Sequence, residues 1–101
     1  MYDHNQLEIP DSFMALYLVR GQLKSASTRE VIAERYGFCE DLASHLCEYA
    51  RAQHFDFGIT EQDVLERCHR GLLTGPASVN PAEALWVIRR LAELAGWQAL
   101  P

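Results

Sequence analysis

Six side chains in the middle of the chain have the chemistry to hold a metal ion or attack an electrophile: Cys39, Cys47 and Cys68, with His45, His54 and His69. Zinc sites place paired ligands two to four residues apart, whereas Cys39 and Cys47 would lie roughly 12 Å apart along a helix. Cys68 and His69 are neighbours, and adjacent residues on a helix point in different directions, so one ion cannot easily use both. No metal and no cofactor is therefore expected, and the cysteines read as small buried hydrophobes. A Cys/His-dependent enzyme is the alternative reading, because a nucleophile and its base meet in space and not along the chain. Against it, the sequence contains no G-x-S-x-G elbow, no H-E-x-x-H and no dinucleotide fingerprint. The single lysine, Lys24, stands in GQLKS, which lacks the glycine spacing of a phosphate-cradling loop. Catalysis is not the expectation.

The stretch TREVIAERYGFCEDLASHL offers a different chemistry, that of a helix-turn-helix with Ala33 in the first helix, Gly37 at the turn and Phe38 and Leu46 as inward anchors. A DNA reader needs hydrogen-bond donors where its second helix enters the groove. The corresponding residues are Cys39, Glu40, Asp41, Ser44 and His45, followed by Glu48, and carboxylates there oppose the phosphate attraction that dominates affinity. A helix-turn-helix-like DNA-binding protein is thus a further alternative, with nucleic acid a disfavoured partner.

Charge separates the chain into unequal parts. The net charge is −5, yet residues 30–63 alone hold eight carboxylates against Arg35 and Arg51, a net −6. Such a segment repels nucleic acid and anionic membrane and favours a basic partner. Glu34, Glu40, Asp41 and Glu48 form the candidate acidic contact face. A second candidate surface combines Trp86, Arg89, Arg90 and Trp97, since tryptophan and arginine most often anchor interfaces. The simpler structural account puts Trp86 at the core edge and pairs the arginines with Glu83 and Glu93.

The elements that must position these residues are helices. At 101 residues, 49% apolar and 23% charged, the composition is that of one ordinary globular domain. Pro10, Asp11 and Ser12 open a first helix through FMALYLV to Arg20, stopped by Gly21. Ser27 and Glu30 make a capping-box pattern for a second, through Tyr36, which Gly37 interrupts. Phe38, Leu42, Leu46, Tyr49 and Ala50 recur at helical spacing as the inward face of a third helix ending near His54. Thr60 and Asp63 start a fourth with Val64, Leu65, Cys68 and Leu72 inward, Asp63–Arg67 and Glu66–Arg70 as ion pairs, and Gly71 as its stop. Asn80, Pro81 and Glu83 open the last helix, lined by Leu85, Ile88, Leu91, Ala92 and Ala95, with Gly96 ending it and Trp97 packing back. No segment alternates like a strand. The expected fold is all-α, a compact bundle of about five helices in a single domain over 1–101, with residues 1–9 a flexible N-terminus.

Through AERYGFCEDLA, GITEQDVLERCHRGL and EALWVIRRLAELAGW the chain resembles a small, uncharacterised bacterial protein family of similar length, some of whose members are labelled ATPases with chaperone activity. The resemblance covers nearly the whole chain and implies a bacterial cytosolic helical domain, without catalytic residues to carry over. The N-terminus MYDHNQLEIPD lacks signal-peptide patterning, no apolar run is long enough to span a bilayer, and three cysteines fit no disulfide framework. The expectation is a cytoplasmic, non-catalytic protein-interaction or regulatory module whose partner is another protein or a second copy of itself.

Overall fold

The computed structural model describes residues 8–19, 22–23, 28–76 and 79–99. Among them the fold is all-α apart from one two-residue strand pair. In chain order the elements are α1 (Asp11–Met14), a 3-10 turn (Ala15–Tyr17), β1 (Leu18–Val19), β2 (Gln22–Leu23), α2 (Arg29–Phe57), α3 (Glu61–Thr74) and α4 (Pro81–Ala95). The chain forms two compact units, Met1–Phe38 and Cys39–Pro101, whose boundary falls within α2. No described helix is long and apolar enough to cross a membrane.

In the first unit, Phe13 is fully buried, with its ring centroid 5.6 Å from those of both Tyr17 and Tyr36. The helix expected over residues 12–20 lasts only one turn: it tightens to 3-10 geometry and turns extended at Leu18 (φ −101°, ψ 140°). Leu18 and Val19 then pair antiparallel with Leu23 and Gln22. A single turn carries too few hydrogen bonds to hold β-branched and aromatic residues in helix once a strand partner is within reach. Thr28 caps the next helix, its hydroxyl accepting from the Val31 N–H at 3.2 Å. The expected cap, Ser27, the expected stop at Gly21 and most of the N-terminal segment 1–9 lie outside the described residues; of that segment Glu8 is exposed and Ile9 buried.

Four α-helices occur among the described residues instead of about five, because the two expected on either side of Gly37 are one. Gly37 adopts helical backbone inside the 29-residue α2, and the helix-turn-helix pattern is therefore absent from this segment. A glycine inside a helix costs only about 1 kcal/mol. A break would expose eight backbone groups, and neither Phe38 nor Cys39 can cap them.

The second unit packs the Cys39–Phe57 part of α2 with α3 and α4. Its core takes Cys39, Ala43, Cys47 and Ala50 from α2, and Val64, Leu65, Cys68 and Leu72 from α3. From α4 come Ala84, Trp86, Val87, Ile88, Leu91 and Ala92. The α3 face is the expected one. On α2 the buried stripe is rotated by about one residue from the expected one: Phe38 and Tyr49 are exposed, and Leu42 and Leu46 half-buried. The residues buried on this stripe are small, and the bulky ones flank it.

Helix ends in this unit follow their local chemistry. Gly58, at φ 66°, closes α2 by donating to the His54 carbonyl at 3.1 Å. His54 Nδ1 stands 2.6 Å from the Ile59 carbonyl and its ring lies edge-on to Trp97 at 5.4 Å, tying the turn to the chain after α4. Thr60 caps α3 by accepting from Asp63 N–H at 3.1 Å. Helix α3 passes through Gly71 without stopping and ends at Thr74, with Gly75 donating to the Gly71 carbonyl. Asn80 and Glu83 form a reciprocal capping box, at 2.8 and 3.0 Å, and Gly96 (φ 76°) ends α4 with Gly96 and Trp97 N–H groups bonded to Glu93 and Ala92. The ion pairs Asp63–Arg67 and Glu66–Arg70 do not form; Glu66 instead accepts from Gln62 at 3.3 Å. Exposed four-residue pairs gain only about 0.3–0.5 kcal/mol, which does not outweigh the entropy of two long side chains.

Two stability outcomes follow. Asn80→Ala is expected to lower the unfolding free energy by about 1 kcal/mol in urea titration, with an unchanged m value. Arg90→Leu removes the partner of half-buried Glu40 and is expected to cost about 1–2 kcal/mol, and the Glu40→Gln/Arg90→Leu double variant less than the two single losses combined.

Candidate functional site

The residues singled out by charge and aromatic content take different positions. Glu34, in the first unit, is exposed. Within the second unit Asp41 and Glu48 are exposed and, seven residues apart, share the solvent side of α2; neither forms an ion pair among the described residues. Glu40 turns the other way, toward α4. Arg90 Nε donates to Glu40 Oε1 at 2.9 Å and Oε2 at 3.2 Å, and Nη2 to Oε2 at 2.9 Å. This fork geometry makes the pair a cross-helix fastener. Arg90 also reaches Glu93 at 3.6 Å.

Arg51 spans the same two helices, donating to the Leu94 carbonyl at 3.0 Å. Trp86 is buried in the core, Trp97 is half-buried against His54, and Arg89 alone of its group is exposed. The structure thus joins Glu40 to Arg90 and leaves Asp41, Glu48 and Arg89 on the surface.

Aromatic exposure concentrates toward the end of α2. Tyr49 is 55% exposed, Phe57 69% and Phe55 88%. Fully hydrated phenylalanine rings on a helix gain nothing for the isolated fold and are characteristic of contact surfaces.

Between α2 and α3 runs a groove of about 540 Å³ lined by Leu42, Leu46, Tyr49, Arg67, Cys68, Gly71, Leu72 and Pro76. A smaller pocket of about 40 Å³, lined by Tyr49, Gln53, Ile59, Val64 and Arg67, adjoins its turn-proximal end. Sequence reasoning missed the groove because it placed Leu42, Leu46 and Tyr49 in the core, Arg67 in an ion pair and Gly71 at a helix end. The available signal was Gly71 followed by Leu72 and Leu73, an apolar continuation that a helix stop would have stranded.

None of the three cysteines forms a disulfide, and all three are buried. Burial pushes the Cys68 thiol up from its ordinary value, the direction opposite to that of a thiolate nucleophile. Among the described residues no three His, Cys, Asp or Glu side chains group as metal ligands, and no buried side-chain polar atom lacks a hydrogen-bond partner. Iodoacetamide at pH 7 is expected to modify all three cysteines of the native chain more slowly than free glutathione, as read by peptide mass mapping; rapid modification of one alone would point to an activated thiol. No family model, curated protein or solved structure matches the chain.

Proposed function

We propose that the chain is a non-catalytic protein-interaction or regulatory module of a bacterial cytoplasm, and that the solvent face of α2 in the second unit is its contact surface. The observation that carries this reading is the combination there of Asp41 and Glu48, carboxylates without an ion-pair partner among the described residues, with the exposed rings of Tyr49 and Phe55. Exposed aromatics supply the apolar anchor of an interface, and unpaired carboxylates at its edge steer a basic partner and set orientation. Glu40 and Arg90 hold the helix in place from behind, and Arg89 lies on the exposed side of α4. Glu34, the remaining acidic candidate, is exposed on the first unit.

The partner is a protein with a basic, apolar-anchored surface. It is either another protein or a second copy of this chain that sets a basic patch such as exposed Arg89, and not the same acidic face, against it. Three buried cysteines, none in a disulfide, suit a reducing compartment.

Affinity capture on the immobilised chain, with light scattering of the free chain, tests the reading. Bound proteins, or a dimer, are expected to be lost in the Asp41→Lys/Glu48→Lys variant and weakened by salt, with thermal stability unchanged within about 0.5 kcal/mol. A monomer that captures the same proteins with and without the charge reversal would overturn it.

A further inference from the structure

The groove between α2 and α3 has features that the contact face does not explain. Its walls are apolar, from Leu42, Leu46, Leu72 and Pro76, and among the described residues Arg67 is the one charged residue in its lining. Arg67 is exposed and makes no ion pair among the described residues, although Asp63 stands one turn away. Tyr49 and Arg67 line both the groove and the small pocket near the α2–α3 turn, so the polar groups sit at one end and the aliphatic ones extend toward the other.

Gly71 is the third observation. It lies inside α3, where glycine is the least favoured residue after proline, and a Cβ built on it would meet no atom within 4 Å. Nothing in the fold requires its missing side chain. What the missing side chain does is keep the groove open, at the expense of helix stability.

From these features we infer that the groove binds a small amphipathic monocarboxylate, an aliphatic chain ending in a carboxylate. The tail lies along Leu42, Leu46 and Leu72, and the carboxylate meets the Arg67 guanidinium beside Tyr49. Arginine presents a fork of donors that matches a carboxylate, and one unpaired cation balances one negative charge, where a phosphate dianion would call for more than one. The groove runs from Leu42 to Tyr49, seven residues or roughly 10 Å of helix rise, which suits a medium-chain acid. A volume of about 540 Å³ is in the range of small-ligand sites. The inference shares Tyr49 with the contact face on α2 but uses neither Asp41 nor Glu48, so the two can be tested apart.

Calorimetry and methyl NMR of the full chain with decanoate, decanol and an apolar peptide bearing a free C-terminus provide the test. Decanoate is expected to bind one to one, shifting the methyl signals of Leu42, Leu46 and Leu72 but not those of buried Leu91, with decanol about tenfold weaker. Arg67→Gln should remove the preference for decanoate over decanol. Gly71→Leu should abolish binding of both while keeping the native circular dichroism and raising the melting temperature by a few degrees, since leucine favours helix over glycine. The Asp41→Lys/Glu48→Lys variant should bind decanoate at least as tightly as the parent chain, which separates failure here from failure of the contact face. Equal binding of decanol and decanoate, undiminished binding by Gly71→Leu, or a peptide that binds more tightly than decanoate would each overturn the assignment.

Discussion

The second unit depends on a narrow seam of small side chains. Within this unit α2 buries Cys39, Ala43, Cys47 and Ala50, none larger than a cysteine. α4 supplies the bulky part of the same core, where Val87, Ile88 and Leu91 are fully buried. The consequence is displacement: Leu42, Leu46 and Tyr49, which a larger seam would have enclosed, line the edge of the interhelical space. Core packing and groove formation are two results of the same geometric choice.

Polar interactions fix that seam instead of driving it. The Glu40–Arg90 fork and the Arg51–Leu94 hydrogen bond both join α2 to α4, and they set the rotation of α2 about its axis. With that rotation set, Asp41 and Glu48 must face solvent. Exposed charge on α2 is therefore the geometric complement of a half-buried ion pair behind it. His54, held between the Ile59 carbonyl and the Trp97 ring, secures the turn where α2 passes into α3.

Glycine illustrates how far local rules reach. Gly58 and Gly96 end helices because each adopts a left-handed backbone, and in both cases an apolar or aromatic residue follows to pack back. Gly37 and Gly71 end nothing, because in each the backbone stays helical. A glycine permits a break without commanding one; the surrounding burial decides, and at these two positions burial continues on both sides.

The amino-acid sequence by itself determined the helical class, the starts of α3 and α4 at Thr60 and Asn80, the end of α4 at Gly96 and the inward face of α3. These are short-range matters: a side-chain oxygen three residues from a free N–H, or apolar residues at three and four residue steps. Only the tertiary structure decided that residues 29–57 form one helix, that α1 lasts a single turn, and that the Cys39–Phe57 part of α2 buries small residues and not its large ones. It also decided that Glu40 belongs to Arg90 and that Arg67 stands free beside a groove. Each of these depends on what lies across a gap from the residue, and no spacing along the chain encodes the width of that gap.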